Sequence, residues 1–141
     1  MLNKILKFCA VGAVAMIFVA CSKPPFEVTY LIPEANRLSF SQNKPMGCML
    51  VGEKDGVARV GKTEATISKL EESAKNDMLN KSAGLLTVGG NQDKNKRMVV
   101  YLSKKEWQCG KYEKPCKNQE NPKIKEVSAL KVSGEIYECS F

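Results

Sequence analysis

Any chemistry in this 141-residue chain has to start from its six cysteines, because the sequence contains no histidine. Without an imidazole, Ser/His and Cys/His activation of a nucleophile is excluded and the commonest general base is missing. A cysteine can instead be acylated, bridged or bound to zinc, and spacing separates these fates. Cys9 lies inside the apolar run from Phe8 to Ala20, and Cys21 follows that run directly. The remaining four, Cys48, Cys109, Cys116 and Cys139, form an even set in a short chain and read as two disulfides. Zinc sites of four cysteines usually carry two close C-x2-4-C pairs. Here only Cys109 and Cys116 are neighbours, so no metal and no other cofactor is expected.

Of the three possible pairings, the residues favour Cys48 with Cys139 and Cys109 with Cys116. Cys48 and Cys139 each lie in an apolar stretch suited to a strand, and Gly110 and Pro115 can turn the short segment between Cys109 and Cys116 back on itself. In the chain-entropy account the long ring contributes roughly 4 to 5 kcal/mol and the short one roughly 2 to 3 kcal/mol.

The two other cysteines belong to the N-terminal segment. Lys4 and Lys7 precede the apolar run, and Ala20 closes it. Thirteen helical residues reach only about 20 Å, short of the roughly 30 Å hydrocarbon layer, so the run suits a secretory leader and not a permanent span. Ala20-Cys21 resembles a lipobox, where bacterial lipoprotein signal peptidase cuts after diacylglyceryl has been attached to the cysteine. Acyl chains such as palmitate would then hold Cys21 on a membrane, at about 0.8 kcal/mol per buried methylene. Ser22 in place of Asp implies, by resemblance to enterobacterial sorting, the outer membrane. The expected division is a signal peptide over 1–20, a lipidated terminus and short linker over 21–25, and one domain over 26–141. Loss of Lys4 and Lys7 lowers the formal net charge of +7 by two.

A 43% hydrophobic and 26% charged composition suits one globular domain. Its expected class is α+β, one helix packed on a small, mostly antiparallel sheet of three to five strands and tied by two disulfides. Phe26, Val28, Tyr30 and Ile32 alternate as in a half-buried strand, broken by Pro33 and the polar stretch to Pro45. Met46 to Val51 reads as a strand bounded by Gly52 and a turn at Asp55-Gly56. Ile67, Leu70, Ala74 and Met78, with Leu79 and Ala83 beside them, form one helical stripe. That stripe predicts a helix over 64–84 with a capping box at Ser68 and Glu71 and a stop at Gly84. Leu85 to Val88, Met98 to Leu102 and Glu135 to Phe141 read as further strands, the last with Tyr137, Cys139 and Phe141 on one face.

Residues 104–131 carry eight lysines against four glutamates, with Pro115 and Pro122, and read as a basic loop adding little to the core. Lys111, Lys114 and Lys117 are its candidate anion contacts, with Trp107 and Tyr112 available for a polar interface. The plainer reading is a solvated loop pinned by its disulfide. Nucleic acid is not expected to meet a lipid-anchored export product. Asp77, Glu135 and Glu138 show no spacing that supports paired acid/base work, and no enzymatic activity is expected. Asn76 and Asn80, one turn apart, can bind a partner or bond locally, and the local role is the one expected.

Gly47-Cys48-x-Leu50-Val51-Gly52 followed by Gly56, Asn76-Asp77-x-Leu79-Asn80-Lys81-x-Ala83, and Gly134-Glu135-x-Tyr137-x-Cys139 together resemble an uncharacterised family of small bacterial lipoproteins. That family is similar to the outer-membrane lipoprotein sensor of the Rcs phosphorelay. The resemblance implies a disulfide-tied α+β domain with a helix on a sheet, and an interlaced pairing of Cys48 with Cys116 and Cys109 with Cys139. Only Ser22 to Pro25 separate the lipid from the fold, about 14 Å when extended. The expected function is non-enzymatic binding of another envelope component, as an accessory or stress-sensing factor. The alternative is a surface-exposed module that uses the basic loop to contact anionic lipid or host ligands. Whether the domain faces the periplasm or the surface is open. If Cys21 is the acylated residue, Cys21→Ser accumulates unprocessed precursor and loses labelling by a palmitate analogue; normal labelling of that variant contradicts the assignment.

Overall fold

The apolar alternation near the C-terminal end forms one of the two inner strands of the sheet. The computed structural model describes residues 26–61, 65–88 and 96–140. The expected leader, Cys21, the linker, most of the Gly89 to Lys96 loop and Phe141 lie outside the described residues. In order, a 3₁₀ turn (Pro33–Arg37) is followed by β1 (Ser39–Ser41), β2 (Met49–Arg59), α1 (Ile67–Val88), β3 (Lys96–Cys109), β4 (Lys114–Pro115) and β5 (Val127–Ser140). The strands form one mixed sheet in the order β1-β3-β5-β2, with β4 added to β3. β5 runs antiparallel to both β3 and β2, while β1 lies parallel to β3. The expected class, one helix on a mostly antiparallel sheet with two disulfides, is the class observed.

Period-two alternation puts Leu130, Val132, Gly134 and Ile136 of β5 on one face, and α1 covers that face. Leu70, Ala74 and Met78, in the predicted stripe, are completely buried. Two glycines let the helix down onto the strands. A Cβ on Gly56 would collide with the Ala74 carbonyl oxygen and lie 2.5 Å from the Met78 nitrogen, and one on Gly134 would lie 2.5 Å from Met78 Sδ. Asp55-Gly56 is therefore no turn. It lies inside β2, opposite Ser133 and Val132, and the glycine serves the approach of the helix backbone.

Several boundaries differ from expectation for physical reasons. The helix cap is Thr66, whose Oγ1 accepts a hydrogen bond from the Lys69 N–H at 3.2 Å, in place of the Ser68 box. The helix passes through Gly84, whose φ is not positive and which has open space around it, so Leu85 to Val88 form its last turn and not a strand. Residues 26–32 form no ladder. Tyr30 is 81% exposed, and this segment is tied to the helix by side chains as described below. The polar stretch after Pro33 contains β1 and so does more than interrupt.

Lys104 to Lys131 is not one loop. A bulge at Ser103 separates the pairs Leu102/Gly134 and Lys104/Ser133, so the face occupied by Val100 and Leu102 passes to Lys105 and Trp107. Trp107, opposite Leu130, is 2% exposed and belongs to the core with Cys116, Val127 and Leu130. Only residues 110–126 are loop and short hairpin, and this stretch contributes to the core, contrary to expectation.

Both disulfides take the nested pairing: Cys48–Cys139 with Cα atoms 4.5 Å apart, and Cys109–Cys116 at 5.0 Å. The register explains the first, because Met49 lies opposite Glu138 and so brings Cys48 to Cys139. For the second, Glu113 N–H bonds the Gly110 carbonyl and folds the β3–β4 hairpin. The interlaced pairing implied by the family resemblance is not the one formed. Gly56→Ala should destabilise the fold by about 1–3 kcal/mol through overpacking, whereas Gly84→Ala should stabilise it by about 0.5–1 kcal/mol. Denaturant midpoints of the two variants check this opposite pair of signs.

Candidate functional site

The predicted anion contacts stand on the hairpin that Cys109–Cys116 closes. Lys111 is in its turn, Lys114 in β4 and Lys117 just past the disulfide, and all three are exposed. Tyr112 is 79% exposed, with the Lys111 ammonium 5.9 Å from its ring centre. Glu113, at φ 48°, bonds Arg59 at 2.8 Å and fastens the hairpin to the end of β2. Trp107 takes no part in a polar interface, since it is in the core.

The sheet face away from α1 carries a polar cluster that no local spacing announces. Tyr137 of β5 lies between its register partners Leu50 and Val99 and is buried. Its hydroxyl donates to Glu135, two residues back on the same face. Lys44, from the loop before β2, reaches to 3.5 Å from the Glu135 carboxylate and 5.9 Å from the Tyr137 ring centre. The Tyr137 hydroxyl bond, aided by the Lys44 charge, holds the Glu135 carboxyl below the usual carboxylate range. The same bond to Glu135, with burial, raises the Tyr137 pKa, and Tyr137 and Glu135 together raise that of Lys44. The cluster pins the 42–48 loop beside the Cys48–Cys139 bridge.

Asp77 is elsewhere. It accepts hydrogen bonds from the Val57 backbone N–H at 2.9 Å and from Lys81 at 2.7 Å, so the helix covers β2 there. The acidic residues considered for acid/base work are therefore dispersed: Asp77 is on α1, Glu135 is on the far face of the sheet, and Glu138, by the alternation of β5, is on the other face from Glu135. Asn76 and Asn80 do not bond locally, contrary to expectation. Thr29 N–H donates to Ser73 Oγ at 2.8 Å, and Asn76 Nδ2 donates to the Thr29 carbonyl at 2.8 Å. Asn80 donates to the Tyr30 carbonyl and accepts from the Ile32 N–H, each at 2.9 Å. These spacings of three and four residues make one polar row on α1, which holds the extended segment as a neighbouring strand would. Gln119 treats Trp107 the same way, accepting from its N–H at 2.7 Å and donating to its carbonyl at 2.9 Å.

The strongest unsatisfied feature is the first half of β2. Among the described residues this strand has a neighbour on one side only. Met46 is 94% exposed, Met49 60%, Leu50 50% and Val51 38%, an apolar set within six residues. A second bulge, between Leu50 and Gly52, moves Val51 out of register with β5. Sequence pattern marks this stretch as a strand but cannot mark it as an edge.

No family model matches the chain, and no match was found among curated proteins or solved structures. The Glu135 cluster yields a pH signature. Its carboxylate stabilises the fold above the ordinary carboxyl pKa of about 4.3, and that contribution is lost as pH falls through the depressed folded value. Glu135→Gln should flatten the loss of thermal stability between about pH 6 and pH 3 relative to the parent; equal slopes contradict this role.

Proposed function

We propose that the chain is a non-enzymatic lipoprotein of the bacterial outer membrane, anchored through acylated Cys21, whose domain binds an envelope protein along the first half of β2. The observation that carries this reading is the edge at Met49–Val51, which no strand among the described residues pairs and which exposed apolar side chains rim. Such edges usually carry inward charges, prolines, bulges or a covering element; the Leu50/Gly52 bulge confines the open stretch to Met49–Val51, and its exposed apolar side chains still invite another chain. An extended partner segment gains ladder hydrogen bonds from the free edge, and side-chain contacts at Met46, Met49 and Leu50 set its register. The Cys48–Cys139 bridge and the Lys44–Glu135–Tyr137 cluster hold this end of β2 in place, which lowers the ordering cost of binding.

A second reading rests on the exposed hairpin bearing Lys111, Lys114, Lys117 and Tyr112, which presents cations to anionic lipid or a host ligand. A photo-crosslinking amino acid placed at Met49 or at Tyr112 in cells distinguishes the two. The edge reading expects one defined protein adduct from position 49, lost when Val51→Glu is added, with the disulfides intact on non-reducing gels. Adducts from position 112 alone favour the hairpin, and none from position 49 contradicts the edge reading.

A further inference from the structure

On the opposite side of α1 from β2, the helix does not close down on the sheet. A cleft of about 320 Å³ remains between α1, β1 and β3, near the lower end of the roughly 300–1,000 Å³ typical of small-molecule sites. Phe40, Leu102, Leu130 and Val132 supply its apolar walls, and Lys75, Lys105 and Glu71 stand among its polar lining residues. Lys105 is present because the Ser103 bulge turns it onto the helix side, opposite Val132. Glu71 takes Lys105 at 2.8 Å. Lys75 has no carboxylate partner among the described residues. Its ammonium sits 4.1 Å from the centre of the Phe40 ring, an attraction that fixes a cation while leaving its N–H donors available.

An apolar trough beside one fixed, unneutralised ammonium is complementary to a molecule with an apolar body and a single anionic end. We propose that this cleft binds a free medium-chain fatty acid, its carboxylate on Lys75 and its chain along the half-buried Phe40 and Leu102, over a floor closed by the buried Leu130 and Val132. The apolar lining is short, so methylenes beyond a medium chain would gain no cover from it, and a bulky headgroup has no place beside the Lys105–Glu71 pair. This site is separate from the β2 edge and does not depend on the binding role assigned to it. Glu71 acts as a competitor, because it neutralises the second ammonium that the carboxylate could otherwise use.

The test uses the full chain in phosphatidylcholine nanodiscs, with a diazirine-bearing decanoate as probe and mass spectrometry to locate the adduct. Adducts are expected on the peptides that carry Phe40 and Leu102, competed by decanoate but poorly by decanol. Lys75→Gln, a surface change that leaves the core intact, should lower cleft labelling roughly tenfold, as expected for one charge-assisted hydrogen bond. Lys111→Gln should leave it unchanged, and Glu71→Gln should raise it by freeing Lys105. Equal competition by decanol, or labelling indifferent to Lys75→Gln, overturns the carboxylate assignment. Adducts confined to other parts of the chain overturn the site itself.

Discussion

The contact between the backbone of α1 and β2 at Gly56 sets the geometry of the rest of the domain. No side chain fits there, since even a methyl group would meet the Ala74 carbonyl and the Met78 nitrogen. With Gly134 giving way to Met78 on the next strand, the helix is seated over β2 and β5, off the middle of the sheet. Two consequences follow. Near Val57 the helix supplies Asp77 to the strand backbone and covers it, while Met49–Val51 lie beyond such cover. Over β1 and β3 the seating leaves space, which becomes the cleft lined by Phe40 and Leu102. Close packing in one place thus creates both openings.

Unpaired backbone elsewhere in the domain is met by side chains, Ser73 and Asp77 accepting from single N–H groups and two amides doing more. Asn80 offers one donor and one acceptor to Tyr30 and Ile32, and Gln119 does the same for Trp107. A carboxamide presents the same pair of groups as a peptide unit, so it can replace a missing strand at a single position. The first half of β2 has no such cover among the described residues, and its exposed methionines sharpen that contrast.

The sequence makes the helix stripe, the even cysteine set and the C-terminal strand legible because each depends on local period or counting. Leu70, Ala74 and Met78 bury as the stripe requires, and Cys48 meets Cys139 once two apolar strands are paired. What was hidden depends on bulges and on strand order. The extra residue at Ser103 breaks the alternation that would have marked Trp107 as core, and lysines around it made the segment read as loop. β1 is three polar or aromatic residues whose parallel partner lies far along the chain, so nothing local announces it. Asp55-Gly56 fits a turn as well as a close approach, and only the helix decides between them. The Lys44–Glu135–Tyr137 cluster unites residues nearly a hundred positions apart, and the exposure of Leu50 follows from β2 lying last in the sheet.

β2 is therefore divided into a half that the helix covers and a half that it leaves open. Residue-resolved hydrogen exchange along this strand tests that division most directly. The Val57 amide, bonded to Asp77, should be strongly protected, while amides of Met49–Val51 that do not face β5 should exchange at rates close to those of unstructured peptide. Uniform protection from Met49 to Arg59, or a Val57 amide that exchanges as fast as those of Met49–Val51, would contradict it.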